Sequence, residues 1–340
     1  MKDNHKKYIE RTFFLAKKGL GNVSPNPMVG CVIVKKGKII GEGYHKKYGK
    51  EHAEINAINS VKDKKEIEGS SIYINLEPCS HHGKTPPCSD EIIKYNPKEV
   101  IISNKDPNPI INGRGIMRLQ KNNIDVIENL NKEEGYNLNK RFFKNQESGL
   151  PYIILKWAQT EDGFIAKEDG SSKWISNDIS RMLVHKWRSE EPGILIGVDT
   201  ANKDNPKLNV RSWNGNSPIR IILDPNMRLN NQTRILSDPG SVLIYNKKNN
   251  KKVREKHFIQ NKSFELKDIL KDILKKGVGS ILVEGGAKTL NYFINENLWD
   301  EARIFVSNKR FKTGIKAPEL DLNKYQKIRN NKLYNIFNNA

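Results

Sequence analysis

The residues best suited to chemistry lie in the first third of the chain: His52, Glu54, Cys79 and Cys88. An imidazole and two thiolates match tetrahedral zinc, and three protein ligands leave the fourth position open to water. Bound zinc lowers the pKa of such a water toward neutrality and so provides a nucleophile. Glu54, two residues from the histidine, is placed to move protons as a general acid and base. The pattern therefore predicts a catalytic zinc site.

The spacing of these residues indicates a class of catalyst. A His-x-Glu sequence followed by Pro-Cys and a further Cys is typical of zinc-dependent deaminases, in which the glutamate does not bind the metal. Residues 80–87 separate the two cysteines here, a longer insert than the usual two residues. A closed structural zinc site would instead need a fourth ligand, which His81 or His82 could supply. Cys31 lies in an apolar run and is interpreted as a small buried side chain.

Composition limits the other possibilities. The chain has 340 residues, enough for two domains, and a formal net charge of +20. The basic excess is spread over both parts of the chain, whereas nucleic-acid binding favours a concentrated patch. We therefore attribute the charge to solvated surface, with attraction of phosphorylated substrates as a secondary effect. Without a membrane-length apolar segment or a signal sequence, and with few cysteines, we expect a cytoplasmic protein that binds neither membrane nor nucleic acid.

Alternating strands and helices favour an α/β fold. The first part is predicted to contain helices at 3–18 (with Asp3 as the cap), 52–58, 88–93, 116–121 and 131–146, and strands at 29–34, 39–44, 71–76, 100–103 and 124–127. The pattern restarts after 148, with helices at 177–189, 266–274 and 287–296 and strands at 152–155, 193–198, 219–223, 242–245 and 280–284. The best domain boundary falls between residues 147 and 148.

The strand at 280–284 runs into Gly285 and Gly286, which open a helix. Backbone N–H groups converge at such a turn, so it either binds an anion or simply reverses the chain tightly. Gly277 and Gly279 precede their strand and lack a third glycine, so the Rossmann fingerprint is not matched.

Further motifs are Gly19–Gly21 with Ser24–Gly30, Glu77–Cys88 with its long insert, Asp106–Pro109 with Gly113–Gly115, Asp162–Gly163, Trp174–Ile175, Pro206 and Glu284–Gly286. Through these motifs and His52–Glu54 the chain resembles the bifunctional deaminase/reductase family of riboflavin biosynthesis over nearly its whole length. The resemblance implies a cytidine-deaminase-like three-layer α/β/α domain at 1–147, followed by a dihydrofolate-reductase-like α/β domain at 148–340.

The activity implied by the resemblance has two steps. The first domain would use zinc to hydrolyse the 2-amino group of 2,5-diamino-6-(5-phosphoribosylamino)pyrimidin-4(3H)-one, giving 5-amino-6-(5-phosphoribosylamino)uracil and ammonia. The second would use NADPH to reduce the ribosyl side chain to ribityl. The partner is then a small phosphoribosylated pyrimidine, and we expect a homo-oligomer.

The resemblance also assigns residues to these steps. Deaminase substrate contacts are expected from Asn26, His45, Lys84, Asp106, Asn108 and Arg114. NADPH contacts are expected from Ala158, Trp174, Thr200, Asp204, Gly286, Ala287, Lys288, Thr289, Leu290, Asn291 and Tyr292. Reductase substrate contacts are expected from Lys156, Ser172, Arg188, Leu208, Arg211 and Glu284.

Two other classes of function remain open on the residues alone. A nucleic-acid-editing zinc deaminase with a basic appended domain is permitted by the zinc motif and the net charge, although the long cysteine insert and the Gly285–Gly286 turn argue against it. A zinc-stabilised binding protein without catalysis would require a fourth protein ligand at His81 or His82.

Overall fold

The computed structural model describes residues 2–81, 86–171 and 175–338. The chain divides into two compact units, Met1–Gly149 and Leu150–Ala340. Within the described part of the chain, no helix combines the length and the hydrophobicity that a membrane crossing needs.

The first unit is a single mixed sheet with helices on both faces. Its helices are α1 (Lys2–Lys17), α2 (Ala53–Ser60), α3 (Cys88–Lys94), α4 (Arg114–Lys121), α5 (Lys132–Leu138) and α6 (Lys140–Ser148), with a 3-10 turn at Lys64–Ile67. Its strands are β1 (Gly30–Lys35), β2 (Lys38–Tyr44), β3 (Ser71–Leu76), β4 (Glu99–Asn104) and β5 (Asp125–Ile127). The strand order is β2-β1-β3-β4-β5, with β1 antiparallel to both neighbours and β3, β4 and β5 parallel.

Two apolar clusters fill the space on either side of this sheet. Ile33, Ile74 and Ile102 face α2, α3 and α4, whereas Val32 and Tyr73 face α1. The alternation follows from the two-residue period of a strand. The predicted three-layer α/β/α arrangement is confirmed.

Two local predictions in this unit were wrong. The helix predicted at 131–146 is two helices, α5 and α6, separated at Asn139. The buried Asn139 side chain accepts a hydrogen bond from the Met28 N–H (2.8 Å) and donates one to the Met28 carbonyl (2.9 Å). A side chain that competes in this way for backbone groups favours a helix end over a helix interior. Asp3 lies inside α1 and is not its cap.

The second unit is built on a ten-stranded sheet. Its helices are α7 (Asp178–Glu190), α8 (Val198–Asp204), α9 (Arg234–Ser237), α10 (Leu266–Lys275) and α11 (Ala287–Asn295). Its strands are β6 (Tyr152–Gln159), β7 (Phe164–Ala166), β8 (Gly193–Gly197), β9 (Ile219–Leu223), β10 (Val242–Asn246), β11 (Lys251–Val253), β12 (Lys256–Gln260), β13 (Ser280–Val283), β14 (Glu301–Ser307), β15 (Ile315–Lys316), β16 (Tyr325–Ile328) and β17 (Asn331–Phe337). The order in the large sheet is β11-β12-β10-β9-β8-β13-β6-β14-β17-β16, and β7 pairs separately with β15.

Seven neighbouring strands of this sheet, from β12 to β14, are parallel. Helices α10 and α11 bury one face of the sheet, with Ile269, Ile273 and Phe293 fully enclosed. Each such side chain contributes about 2 kcal/mol by leaving water. Helix α7 packs on the opposite face through Val184 and Trp187. The predicted α/β class is confirmed for this unit too.

The close packing of α2 on β2 gives a testable prediction. A Cβ atom at Gly43 would lie 2.2 Å from the Ala57 nitrogen and 2.5 Å from the Ala53 carbonyl oxygen, both backbone atoms that cannot rotate away. We expect Gly43→Ala to destabilise this unit by about 1–3 kcal/mol, because α2 must move. A urea titration, in which the release of bound metal is monitored, measures this change.

Gly37→Asn is the matched control. Gly37 has φ +74° and no neighbour within 4 Å of a Cβ, and asparagine tolerates that backbone region. If Gly43→Ala and Gly37→Asn unfold at the same urea concentration as the native chain, the close approach does not hold α2 in place.

Candidate active sites

The three predicted zinc ligands lie close together, near the points where two helices begin. His52 is the N-cap of α2, and Cys88 is the first residue of α3. Cys79 follows β3, and its sulfur accepts a hydrogen bond from the Cys88 backbone N–H at 3.3 Å. The three candidate ligand atoms, one from each residue, all lie within 4.8 Å of one another.

The spacing of these atoms fits zinc. His52 Nδ1 lies 3.3 Å from the Cys88 sulfur and 3.7 Å from the Cys79 sulfur. Tetrahedral zinc, with bonds of about 2.0 Å to nitrogen and 2.3 Å to sulfur, places such atoms about 3.5 Å apart. Among the described residues, the potential metal-binding group consists of these three; His81 is exposed and outside it, and His82 lies outside the described residues.

The pKa values of the three groups are shifted in different directions. Hydrogen bonds from Cys88 and His52 lower the pKa of Cys79 to about 4, and the bond with Cys79 raises the pKa of His52 to about 9. The same contact with Cys79, together with burial, raises the pKa of Cys88. Metal ligation requires neutral imidazole and thiolate, so zinc binding would release protons.

Glu54 lies beside this cluster in the first turn of α2. It is 4% exposed, and burial raises the pKa of its carboxyl group. Its Oε2 has no hydrogen-bond partner within the described residues. A buried polar atom without a partner is costly unless a ligand or water satisfies it. The geometry therefore fits a proton carrier facing a molecule held at the metal.

Asn26 and His45 lie together next to His52. The His45 ring is 5.4 Å from the His52 ring, in an edge-on arrangement. His45 Nδ1 is 3.0 Å from the Glu51 carbonyl oxygen, so Nδ1 carries the proton and Nε2 accepts from the Asn26 amide at 3.2 Å. Both side chains are therefore held in fixed orientations beside the metal ligands.

Asp106, Asn108 and Arg114 belong to one loop that leads into α4. Asp106 is buried, which raises the pKa of its carboxyl group to about 6, and charge on Cys79 contributes to that rise. Asn108 accepts a hydrogen bond from Ile110 within the loop, and Arg114 is exposed at the start of α4. Lys84, the remaining predicted deaminase substrate contact, lies outside the described residues.

The second unit contains a cleft of about 1140 Å³ at the carboxyl ends of β8, β9 and β13, where ligands of open α/β sheets bind. The predicted cofactor residues that line it are Ala158, Thr200, Asp204, Gly286, Ala287, Lys288, Thr289 and Tyr292. Gly286 is the N-cap of α11, and its N–H donates to the Thr200 hydroxyl at 3.0 Å. No side chain of the described residues caps the start of α11, so the N–H groups of Ala287 and Lys288 suit an anion.

Two other predicted cofactor residues do not line the cleft. The Leu290 side chain is buried in the apolar core, and Asn291 is exposed and does not line the cleft. The helical period explains both positions, because successive residues of α11 point to different sides. Trp174 and the predicted substrate residue Ser172 lie outside the described residues.

Glu284, Lys156 and Arg188 form a nearly enclosed charge cluster, of which Glu284 and Lys156 line the cleft. The Arg188 guanidinium donates two hydrogen bonds to Glu284, at 2.7 and 3.0 Å, and Lys156 Nζ lies 3.4 Å from Glu284 Oε2. Burial by itself raises the pKa of Glu284, but the charges of Arg188 and Lys156 outweigh it and lower the pKa to about 2. Arg188 thus holds Glu284, and its expected contact with the reductase substrate stays a prediction.

Leu208 and Arg211 lie on the segment that follows α8. The Leu208 side chain is buried in an apolar cluster, so a contact with substrate would come from its backbone, which has φ 54°. Arg211 lines a smaller cavity of about 340 Å³ together with Arg181 and His185. Burial, together with the charges of Arg188 and Arg211, lowers the pKa of His185 to about 4, which leaves its ring neutral near pH 7.

The sequence did not single out several residues that the structure brings to these sites. Lys203, Arg228 and Lys247 line the large cleft, but none of them belongs to a recognised motif in this lysine-rich chain. Glu77 was noted as part of a motif without a role, yet it makes four hydrogen bonds beside the metal ligands.

Fold and site together define a zinc-type deaminase unit followed by a second α/β unit with a large cleft. Comparison with known proteins supports this division into two units of different type. The family model described as "Cytidine and deoxycytidylate deaminase zinc-binding region" matches residues 2–104, and the one described as "RibD C-terminal domain" matches residues 151–310.

Full-length relatives cover nearly the whole chain. Riboflavin biosynthesis protein RibD of Aquifex aeolicus (strain VF5) is 39% identical over 97% of this chain and 95% of that protein. RibD of Escherichia coli (strain K12) is 36% identical over 89% of this chain and 87% of that protein. The solved structure of a diaminohydroxyphosphoribosylaminopyrimidine deaminase/5-amino-6-(5-phosphoribosylamino)uracil reductase from Thermotoga maritima has a TM-score of 0.91 and 34% identity, covering 99% of both chains.

The chain therefore belongs to the RibD family of riboflavin biosynthesis proteins. It is a bifunctional enzyme with a deaminase and a reductase activity, as its sequence resemblance implied.

The metal cluster can be tested with a pair of cysteine variants. We expect Cys88→Ser to lower bound zinc from about one ion per chain to a small fraction of that, because a hydroxyl is a much weaker ligand than a thiolate. Cys31→Ala, which changes a buried cysteine outside the cluster, keeps its zinc. Metal analysis of the purified proteins measures both, and full zinc content in Cys88→Ser would contradict the assignment.

Proposed function

We propose that the chain catalyses two consecutive reactions on a phosphoribosylated pyrimidine. The first is hydrolysis of the 2-amino group of 2,5-diamino-6-(5-phosphoribosylamino)pyrimidin-4(3H)-one, and the second is NADPH-dependent reduction of the ribosyl side chain of the resulting uracil. The name of the Thermotoga maritima relative supports these substrates. The observation that carries the proposal is Oε2 of Glu54, which has no partner among the described residues and lies beside three zinc-type ligand atoms.

In the deaminase unit, a zinc ion held by His52, Cys79 and Cys88 would supply a water of lowered pKa. Oε2 of Glu54 accepts a proton from this nucleophile and returns protons to the amino group, which leaves as ammonia. The raised pKa of Glu54 suits this exchange. A carboxyl group of much lower pKa would stay ionised and would hold no proton to return.

The neighbouring polar groups of this unit would hold the substrate. Asn26 and His45 support each other through a hydrogen bond and would contact the pyrimidine. The loop that carries Asp106, Asn108 and Arg114 would contact the ring and the ribose phosphate, together with Lys84. The exposed guanidinium of Arg114 suits a phosphate, which it can bind with two parallel hydrogen bonds.

In the reductase unit, bound NADPH would supply the hydride. The large cleft offers it the N-terminus of α11 and basic side chains, among them Lys203, Arg228 and Lys288, which suit its phosphate groups. These features support a phosphorylated nicotinamide cofactor in the cleft.

Lys156 would act on the sugar. Reduction of ribosyl to ribityl places a hydride on the sugar carbon attached to nitrogen and a proton on the ring oxygen that is released. Lys156 lines the cleft, and its Nζ lies 3.4 Å from Glu284 Oε2. It is therefore placed to give the proton to that oxygen.

The other classes of function have less support. An editing deaminase with a basic appended domain does not account for the match of residues 151–310 to a reductase family or for the cleft. A binding protein with a closed zinc site would require a fourth ligand, and His81 is exposed outside the cluster. The expected homo-oligomer and cytoplasmic location stay predictions.

Glu54→Gln tests the first reaction. We expect ammonia release from the diaminopyrimidine ribotide to fall by about 10²–10⁴-fold, because glutamine cannot transfer a proton. Zinc content and NADPH oxidation with supplied 5-amino-6-(5-phosphoribosylamino)uracil should equal those of the native chain. Undiminished ammonia release would contradict the role of Glu54.

Lys156→Met tests the second reaction and is the reciprocal control. It removes the proton donor but keeps the length of the side chain, so we expect NADPH oxidation to fall by about 10²-fold or more while ammonia release is unchanged. Binding of NADPH, followed by its fluorescence, should persist. A native chain that releases ammonia yet never oxidises NADPH would contradict the proposed second reaction.

A further inference from the structure

Glu77 is a buried carboxylate whose hydrogen bonds lead to a single loop. It directly follows β3, lies two residues before Cys79 and is 4% exposed. Its Oε2 accepts from the N–H groups of Asp106 (3.2 Å) and Gly113 (2.9 Å). Its Oε1 accepts from those of Gly115 (2.9 Å) and Ile116 (3.3 Å).

These four donors bracket the loop from Asp106 to Arg114. The first donor opens the loop, and the other three lie where it passes into α4. The loop also packs tightly on the residue after Glu77, since a Cβ at Gly115 would lie 2.2 Å from the Pro78 carbonyl oxygen. The segment Glu77–Cys79 therefore contacts the loop on one side and supplies a metal ligand on the other.

A carboxylate suits this position because it has only acceptors to offer. Four backbone N–H groups converge on its two oxygens, and such charge-assisted bonds are about twice as strong as neutral ones. A glutamine would turn an NH₂ group toward two of these donors, leaving buried N–H groups unpaired.

We propose that Glu77 is a positioning residue for the deamination, which holds the Asp106–Arg114 loop at a fixed place relative to the metal ligands. It does not touch the substrate itself. The inference rests on the proposed function, in which Asp106, Asn108 and Arg114 contact the pyrimidine ribotide. Glu54, His52 and Cys88 are carried by α2 and α3, so the proton carrier and two metal ligands do not depend on this loop.

Glu77→Gln separates positioning from chemistry. With the loop displaced, the contacts to the ribotide weaken while the metal and Glu54 stay in place. We expect the KM for ammonia release to rise by about tenfold or more, with kcat changed by less than about threefold. Zinc content should stay at the native level, and the reductase constants measured with the supplied uracil ribotide should not change.

Glu99→Gln is the matched control. Glu99 lies on the neighbouring strand β4 and accepts a hydrogen bond from the Ser71 hydroxyl at 2.6 Å, away from the loop. We expect native kinetic constants from this variant. An unchanged KM in Glu77→Gln would overturn the proposal, and so would loss of zinc in step with activity, which would make Glu77 a support of the metal site.

A measurement on the native chain needs no variant. The amide hydrogens of Gly113 and Gly115 should exchange with solvent at least about tenfold more slowly than those of exposed loop positions, because Glu77 accepts from them. Equally fast exchange would overturn the proposal even if Glu77→Gln does not fold. If the native chain releases no ammonia at all, the proposed function fails, whereas the exchange result still decides whether Glu77 holds the loop.

Discussion

Each unit places a carboxylate in its interior directly after a central strand, and the surrounding site depends on how that charge is satisfied. Glu77 follows β3, and Glu284 follows β13. A buried carboxylate without partners would cost several kcal/mol, so fixed donors must surround it. Both positions lie at the carboxyl end of parallel strands, where ligands of α/β sheets bind. The groups that satisfy each charge therefore also determine the shape of the site around it.

The two units satisfy the buried carboxylate with different hydrogen-bond donors. Glu77 is surrounded by four backbone N–H groups, which satisfy its oxygens without neutralising its charge. Burial, reinforced by the charges of Glu77 and Cys79, raises the pKa of Asp106 to about 6. Glu284 is instead held by Arg188 and Lys156, so this cluster of three side chains carries one net positive charge.

Short-range patterns made much of the first unit predictable. His52 and Cys88 lie at the starts of helices that the local sequence predicts, and β3 was predicted with its exact bounds. The helix break at Asn139 was not predictable, since it depends on a contact with Met28, far away in the chain. The role of Glu77 was hidden for the same reason, because its partners lie about 30 to 40 residues further along.

In the second unit, the distribution of charged residues made one strand and one site hard to predict from the sequence. β14 is buried throughout, but Glu301 and Arg303 interrupt its apolar pattern, and their 2.7 Å ion pair forms only within the folded sheet. The +20 net charge is spread along the sequence, yet the sheet brings Lys203, Arg228 and Lys247 from three separate segments to one cleft. These side chains are exposed, as expected of solvated surface, and the secondary attraction of phosphorylated substrates stays a prediction. Tertiary structure, and not local clustering in the sequence, concentrates positive charge where a phosphorylated ligand would bind.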